Sequence, residues 1–430
     1  MPIFDQGYQR WRGPLSGHAW RWLTIARHGV RVQMQNRLLR ILLLVSWLPA
    51  IGLVLAAVLW GMAEQKSANV LALLRTLFPD DVLSEPQAYR ATIWTLAYSF
   101  FFKFQMFFIM LLVAIAGPGL ISQDLRFNAL PLYFARPLNR LDYFLGKLGV
   151  IGALVLSVAV GPAILAYVVG GCFSLDLSIL KDTYPVILAS VAYGLVITLS
   201  VGTLILALSS LTRRSLYVGI AWAGFWIITS TVGTILTTVH GESLRMELSE
   251  RELARWMAEN PPPQGTQMMA GSSRHPRVQV NPKTGKYQLA GLRPEQEAEG
   301  DRWYRAYLEE TRQIWDRAEW RQGSALRSDW RPLCSYVANL ERIADRLLDT
   351  DAAWVTIGRA VERSRAAVSG VFGPRGRLRP QSEPPPNERR LADQMVRQYP
   401  WQWSAGVLAG LLGISAWTLT RRVKSLDRLK

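Results

Sequence analysis

The sequence predicts an all-α polytopic membrane protein, with six transmembrane helices and a mainly helical extracytoplasmic insert between spans five and six. Three observations carry that expectation. Half of the 430 residues are hydrophobic, and they are gathered into six long runs rather than spread at helix or strand period. Basic residues concentrate in alternate segments between those runs. One segment, residues 240–400, is long, polar and patterned at helical spacing.

Residues 1–40 come first, a cytoplasmic segment in which Trp20, Leu23, Val30, Met34 and Leu38 fall roughly on one helical face. Arg21, His28 and Arg31 lie mostly elsewhere and Arg27 intrudes, as in a helix lying on a leaflet surface. The apolar runs are 41–62, 94–121, 146–173, 184–211, 216–239 and 401–420, each beyond the roughly 18 residues that a bilayer crossing requires. The first is too long, and lies too far from the start, for a signal peptide. Residues 41–239 thus hold spans one to five, and 401–430 the sixth span with a basic tail.

Charge sets the orientation. Seven basic residues face one acidic in 1–40, four face two in 122–147, Arg213 and Arg214 stand alone, and five face one in 421–430. The intervening segments 63–93 and 174–183 each carry one net negative charge. Excess Lys and Arg mark cytoplasmic loops, which places both termini and 122–147 inside and the insert outside an inner (plasma) membrane. The net charge of +17 is then accounted for by topology, without nucleic acid.

Within the insert, residues 242–260 read as a helix stopped by Pro261, Pro262 and Pro263. "VQVNPKTGKYQL" reads as a hairpin turning at Asn281, Pro282 and Gly285. Trp303, Tyr307, Ile314 and Ala318 keep helical spacing. So does "SYVANLERIADRLL", with Val337, Leu340, Ile343, Ala344 and Leu347 on an inward stripe and Glu341, Arg342, Asp345 and Arg346 facing away. Another helix is expected over 355–371, and the Pro- and Arg-rich stretch 372–390 reads as a disordered tether.

Catalytic chemistry has little material. The histidines, His18, His28, His240 and His275, all lie outside the spans, and neither a zinc-protease motif nor a phosphate-cradling glycine loop occurs. The scattered carboxylates nominate no enzyme site, so the chain is read as no enzyme, with no cofactor or metal of its own. Lys103 is the charge within a span; it either lines a pathway or subunit contact, or snorkels to the outer surface. Cys172 and Cys334 both fall on the oxidising side, where they form a bridge or stay as buried thiols.

The segment "SQDLRFNALPLYFARPLNRLDYFLGK", residues 122–147, interrupts this apolar chain. Leu125, Ala129, Leu132 and Tyr133 can form one face of a short helix that Arg136-Pro137 ends, with a new helix starting at Asn139 or Leu141. Together with Asp124, Arg126, Arg136, Arg140 and Asp142, that face suits either a groove on a soluble partner or a lipid surface. "ISQDLRFNALPLYFARPLNRLDYFLGKL" closely resembles the first cytoplasmic loop of ABC-2 type permeases, the membrane subunits of ATP-binding-cassette exporters. "YQRWRGPLSGHAWRWLTIARHGVR", "NLERIADRLL" and "RRVKSLDRLK" are also similar to family segments.

The resemblance implies a permease for export. Its coupling loop would be formed by Asp124, Arg126, Leu132, Arg136, Pro137, Arg140 and Asp142, and ATP and Mg would be bound by a separate ABC ATPase. It also implies pairing with a second permease copy or a paralogue. The insert is longer than the connection typical of the family. This leaves a second expectation, a non-transporting scaffold that passes ATPase motion to an envelope partner of the insert.

Overall fold

The computed structural model describes residues 20–130, 133, 138–174, 176, 178–269, 275–280, 287–371 and 398–427. These are helical apart from turns and one two-stranded hairpin. Six helices are long and apolar enough to cross a membrane: Arg37–Glu64, Arg90–Arg126, Arg140–Phe173, Ser178–Leu211, Ser215–Glu259 and Trp401–Arg422. They contain the six apolar runs, so the architecture is that of a multi-pass helical membrane protein. The turn of the hairpin, the 372–390 tether, and Leu132, Arg136 and Pro137 of the loop lie outside the described residues.

Burial divides the spans. In their most apolar windows, spans two, three and four are 61%, 56% and 56% buried, against 22%, 17% and 22% for spans one, five and six. The middle three therefore make the packed core, while the others leave broad apolar faces of the kind that lipid or another chain covers. By contacts the chain forms two compact units, which are described separately.

The first unit takes in residues 1–65, 97–226 and 408–430. Its N-terminal helix, Arg21–Gln33, lies along the third span. Glycines make that approach possible: a Cβ at Gly146 would sit 2.7 Å from the Ile25 side chain, and one at Gly149 would sit 2.9 Å from Ala26 Cβ. Small residues let helix backbones approach where lipid supplies no hydrophobic drive. The helix thus buries Ala26 and its small side, while Trp20, Leu23 and Met34, expected on its apolar face, are exposed. The helix stops before Met34, and Asn36 begins the first span by accepting a 3.0 Å bond from the Leu38 amide.

That span kinks between Val45 and Leu48, where Pro49 opens its second segment. At the other end of the span, Gln65 Nε2 donates to the Phe173 carbonyl at 2.8 Å and Ser174 Oγ donates to Glu64 at 2.9 Å, tying it to the end of span three. Deeper in the unit, Tyr98 Oη donates to the Ala163 carbonyl at 2.7 Å and Trp222 Nε1 to the Met110 carbonyl at 3.1 Å. A buried hydroxyl or indole N–H needs such a partner.

The second unit takes in residues 66–96 and 227–407. Of the three segments that charge placed outside, 174–183 belongs to the first unit, while 63–93 and 240–400 thus fall almost wholly in one body. Arg363 joins them, pairing with Asp81 at 3.3 Å and donating to Tyr89 Oη at 3.2 Å. The helix expected over 242–260 is no separate element: span five continues unbroken as Ser215–Glu259, and the prolines end it. Its C-terminal part packs Leu253, Trp256 and Met257 against Trp303, Tyr304, Tyr307 and Ile314 of the helix Glu297–Ala325, in the helical register expected of Trp303, Tyr307 and Ile314. The hairpin pairs Val278 with Leu289 and Val280 with Tyr287.

The helix Tyr336–Leu348 departs from its expected face. Arg342 and Asp345 are buried and Leu347 is exposed. Hydropathy sends charges outward, but Arg342 is satisfied inside. It donates to both Asp351 oxygens at 3.2 Å, to Gln398 Oε1 at 2.9 Å and to the Tyr399 carbonyl at 2.9 Å. Asp345 accepts from Thr350 Oγ1 at 3.1 Å. The cluster anchors the two residues that precede Pro400 and the sixth-span helix.

Candidate partner-docking site

The loop between spans two and three is built from a break. Span two runs as Arg90–Ala116, is interrupted at Gly117-Pro118, and resumes as Gly119–Arg126. A helix start leaves its first amides without partners inside the helix, and here span four supplies the cap. Ser209 Oγ accepts from the amides of Ile121 at 3.1 Å and Ser122 at 3.0 Å while donating to the Pro118 carbonyl at 2.8 Å. Ser209, a small polar residue within an apolar run, gave no signal in the sequence, because its partners lie about 90 positions away.

The short helix is clamped at its far end. Asp124 forms a 2.6 Å ion pair with Lys147 and accepts a 2.7 Å hydrogen bond from Tyr143 Oη. Its side chain and that of Lys147 are 15% and 12% exposed, so the pair is largely screened from water. The Lys147 ammonium also lies 5.4 Å from the Tyr143 ring centre. Span three begins at Arg140 with a reciprocal cap in which Asn139 and Asp142 satisfy each other's backbone, the Asn139 amide reaching Asp142 Oδ2 at 3.3 Å. Tyr133 stands over the Tyr143 ring, centres 5.6 Å apart. Burial, with the Asp124 carboxylate in second place, pushes its phenol above the ordinary range.

Of the seven loop residues expected at this site, the structure turns Asp124 and Asp142 to internal work. Arg126 is exposed, with its guanidinium 5.4 Å from the Phe127 ring centre. Arg140 is half-buried, and Leu132, Arg136 and Pro137 lie outside the described residues. The outward surface includes two residues that the sequence reading did not assign to the site: Phe127 and Leu141, each 72% exposed. They are large apolar groups on either side of the loop, beyond the ends of the apolar runs. A cavity of about 520 Å³ beside the break is lined by Gln33, Asn36, Pro118, Gly119, Gln123 and Ser215 among others.

Lys103 is exposed on the outward side of span two. Cys172 is exposed at the end of span three, Cys334 is half-buried in the insert, and both are free thiols. Set beside protein families, curated proteins and solved structures, the chain matches none.

Proposed function

We propose that this chain is the permease subunit of an ABC exporter, coupled through residues 122–147 to a separate ATPase that carries the ATP and Mg. The observation that supports this reading is the exposed pair Phe127 and Leu141 beside a short helix, Gly119–Arg126, that Ser209 caps and that Asp124 ties to Lys147 and Tyr143 of span three. A lever must be stiff to transmit displacement, and a docking surface needs apolar anchors. ATP-driven closure shifts an inward/outward equilibrium only if the docked contacts differ between the two states. The cavity beside Gly117-Pro118 gives the break room to move. The proposed assembly sits in the inner membrane with both termini cytoplasmic and pairs with a second copy or paralogue, which the thinly covered spans one, five and six would accommodate.

The packing of 66–96 with the insert into one body favours a second reading, a scaffold that passes ATPase motion to an envelope partner. Both readings require the ATPase. Pull-down of the tagged chain in mild detergent is expected to bring a P-loop ATPase with the wild type and to lose it, by tenfold or more, with Phe127→Asp, while membrane insertion is unchanged. Equal recovery of the ATPase with both would remove the loop from the interface.

A further inference from the structure

Phe100, Lys103, Phe104 and Phe107 fall at i, i+3, i+4 and i+7 of the span-two helix and so share one face. That face is outward: the three phenylalanines are 48%, 67% and 53% exposed, and Lys103 is exposed between them. The opposite side buries Phe101, Phe102, Met106 and Ile109. Trp226 widens the aromatic surface, its ring centre 5.8 Å from that of Phe107. Among the described residues Lys103 has no ion-pair or hydrogen-bond partner.

Depth and charge identify what covers this face. A hydrocarbon core of about 30 Å spans about 20 residues at 1.5 Å each. Counted back from the Gly117-Pro118 break or from the end of the apolar run at Ile121, the far boundary falls at about residues 97–101. Lys103 thus lies about 3–9 Å inside it, where a lysine stem can carry its ammonium to the headgroups. Residues 90–96, at that end of the helix, belong to the unit that holds the insert. None of the six apolar runs contains an Asp or Glu, so within the hydrocarbon a second copy offers no carboxylate to Lys103. At the headgroup level, which the ammonium reaches, the abundant anion is a lipid phosphate.

We propose that this face binds an anionic phospholipid of the leaflet on the insert side, its phosphate on Lys103 Nζ and its acyl chains along Phe100, Phe104 and Phe107. A zwitterionic headgroup carries its own cation beside the phosphate and gains less from the lysine. The proposal does not depend on the exporter reading.

Native mass spectrometry of the full-length chain, with phosphatidylglycerol or phosphatidylcholine added to the detergent, tests it. The wild type is expected to retain phosphatidylglycerol about tenfold better, Lys103→Arg to keep that preference and Lys103→Gln to lose it. Removing an intramembrane charge lowers the cost of insertion, so Lys103→Gln is not expected to fail by misfolding. Equal retention by wild type and Lys103→Gln would overturn the proposal. So would efficient intermolecular disulfide formation by Lys103→Cys in native membranes, since a second copy would then occupy the face.

Discussion

Arg342→Ala is expected to lower the melting temperature of the detergent-solubilised protein by about 10 °C. The guanidinium is 8% exposed and bonds at once to Asp351, Gln398 and the Tyr399 carbonyl. Truncation leaves the Asp351 carboxylate, the Gln398 amide and a backbone oxygen to find new partners. Removing one member of a buried charged network costs about 3 kcal/mol, and a domain of this size loses roughly 2–4 °C per kcal/mol. Arg342→Lys should recover only part of the loss, because an ammonium cannot reproduce a planar fork with several directed donors. Tryptophan fluorescence during heating, with six of the chain's 17 tryptophans in the insert, reads the transition. A shift under 2 °C would show that the network adds no net stability.

The second large effect is expected at Asp124. Asp124→Ala strands the Lys147 ammonium, 12% exposed at 2.6 Å from the lost carboxylate, and deprives Tyr143 Oη of its acceptor. An uncompensated buried charge costs about 3–5 kcal/mol, and the short helix Gly119–Arg126 loses its anchor to span three. Association with the ATPase should fall with it. The double variant Asp124→Ala with Lys147→Met removes both charges and should regain most of the thermal stability, since replacing a buried pair by apolar groups is often close to neutral. If Asp124→Ala and the double variant melted together, no charge coupling would exist between the two sites.

The sequence revealed the spans because a long apolar run with almost no charge has no other use in a chain of this kind. Their count and order were legible, as were the insert helices around residues 303–314 and over Tyr336–Leu348 and the strands of the hairpin. What stayed hidden depends on partners distant in sequence. Hydropathy turned Arg342 and Asp345 outward because it cannot see Asp351, Gln398 or Thr350 waiting to satisfy them. The continuation of span five through His240-Gly241 to Glu259 was missed because polarity changes there while helical propensity does not; a glycine within a helix costs only about 1 kcal/mol. At the candidate site the proline and the charges drew attention to residues 122–147. They did not reveal that Asp124 faces Lys147, 23 positions on, or that Ser209 of another span caps the break. Phe127 and Leu141 were legible as apolar, but their exposure becomes visible only once the helices are packed.

The claim that matters most is that residues 122–147 meet a soluble ATPase, and the most direct measurement is photocrosslinking from position 127. A benzoylphenylalanine there keeps the aromatic character of the exposed side chain and reports what lies within a few ångströms of it in intact membranes. The account predicts a single major adduct with a P-loop ATPase, absent when the same probe stands at exposed Leu188 in the apolar run of span four. Adducts only with lipid at position 127, in membranes where the ATPase is present, would contradict it.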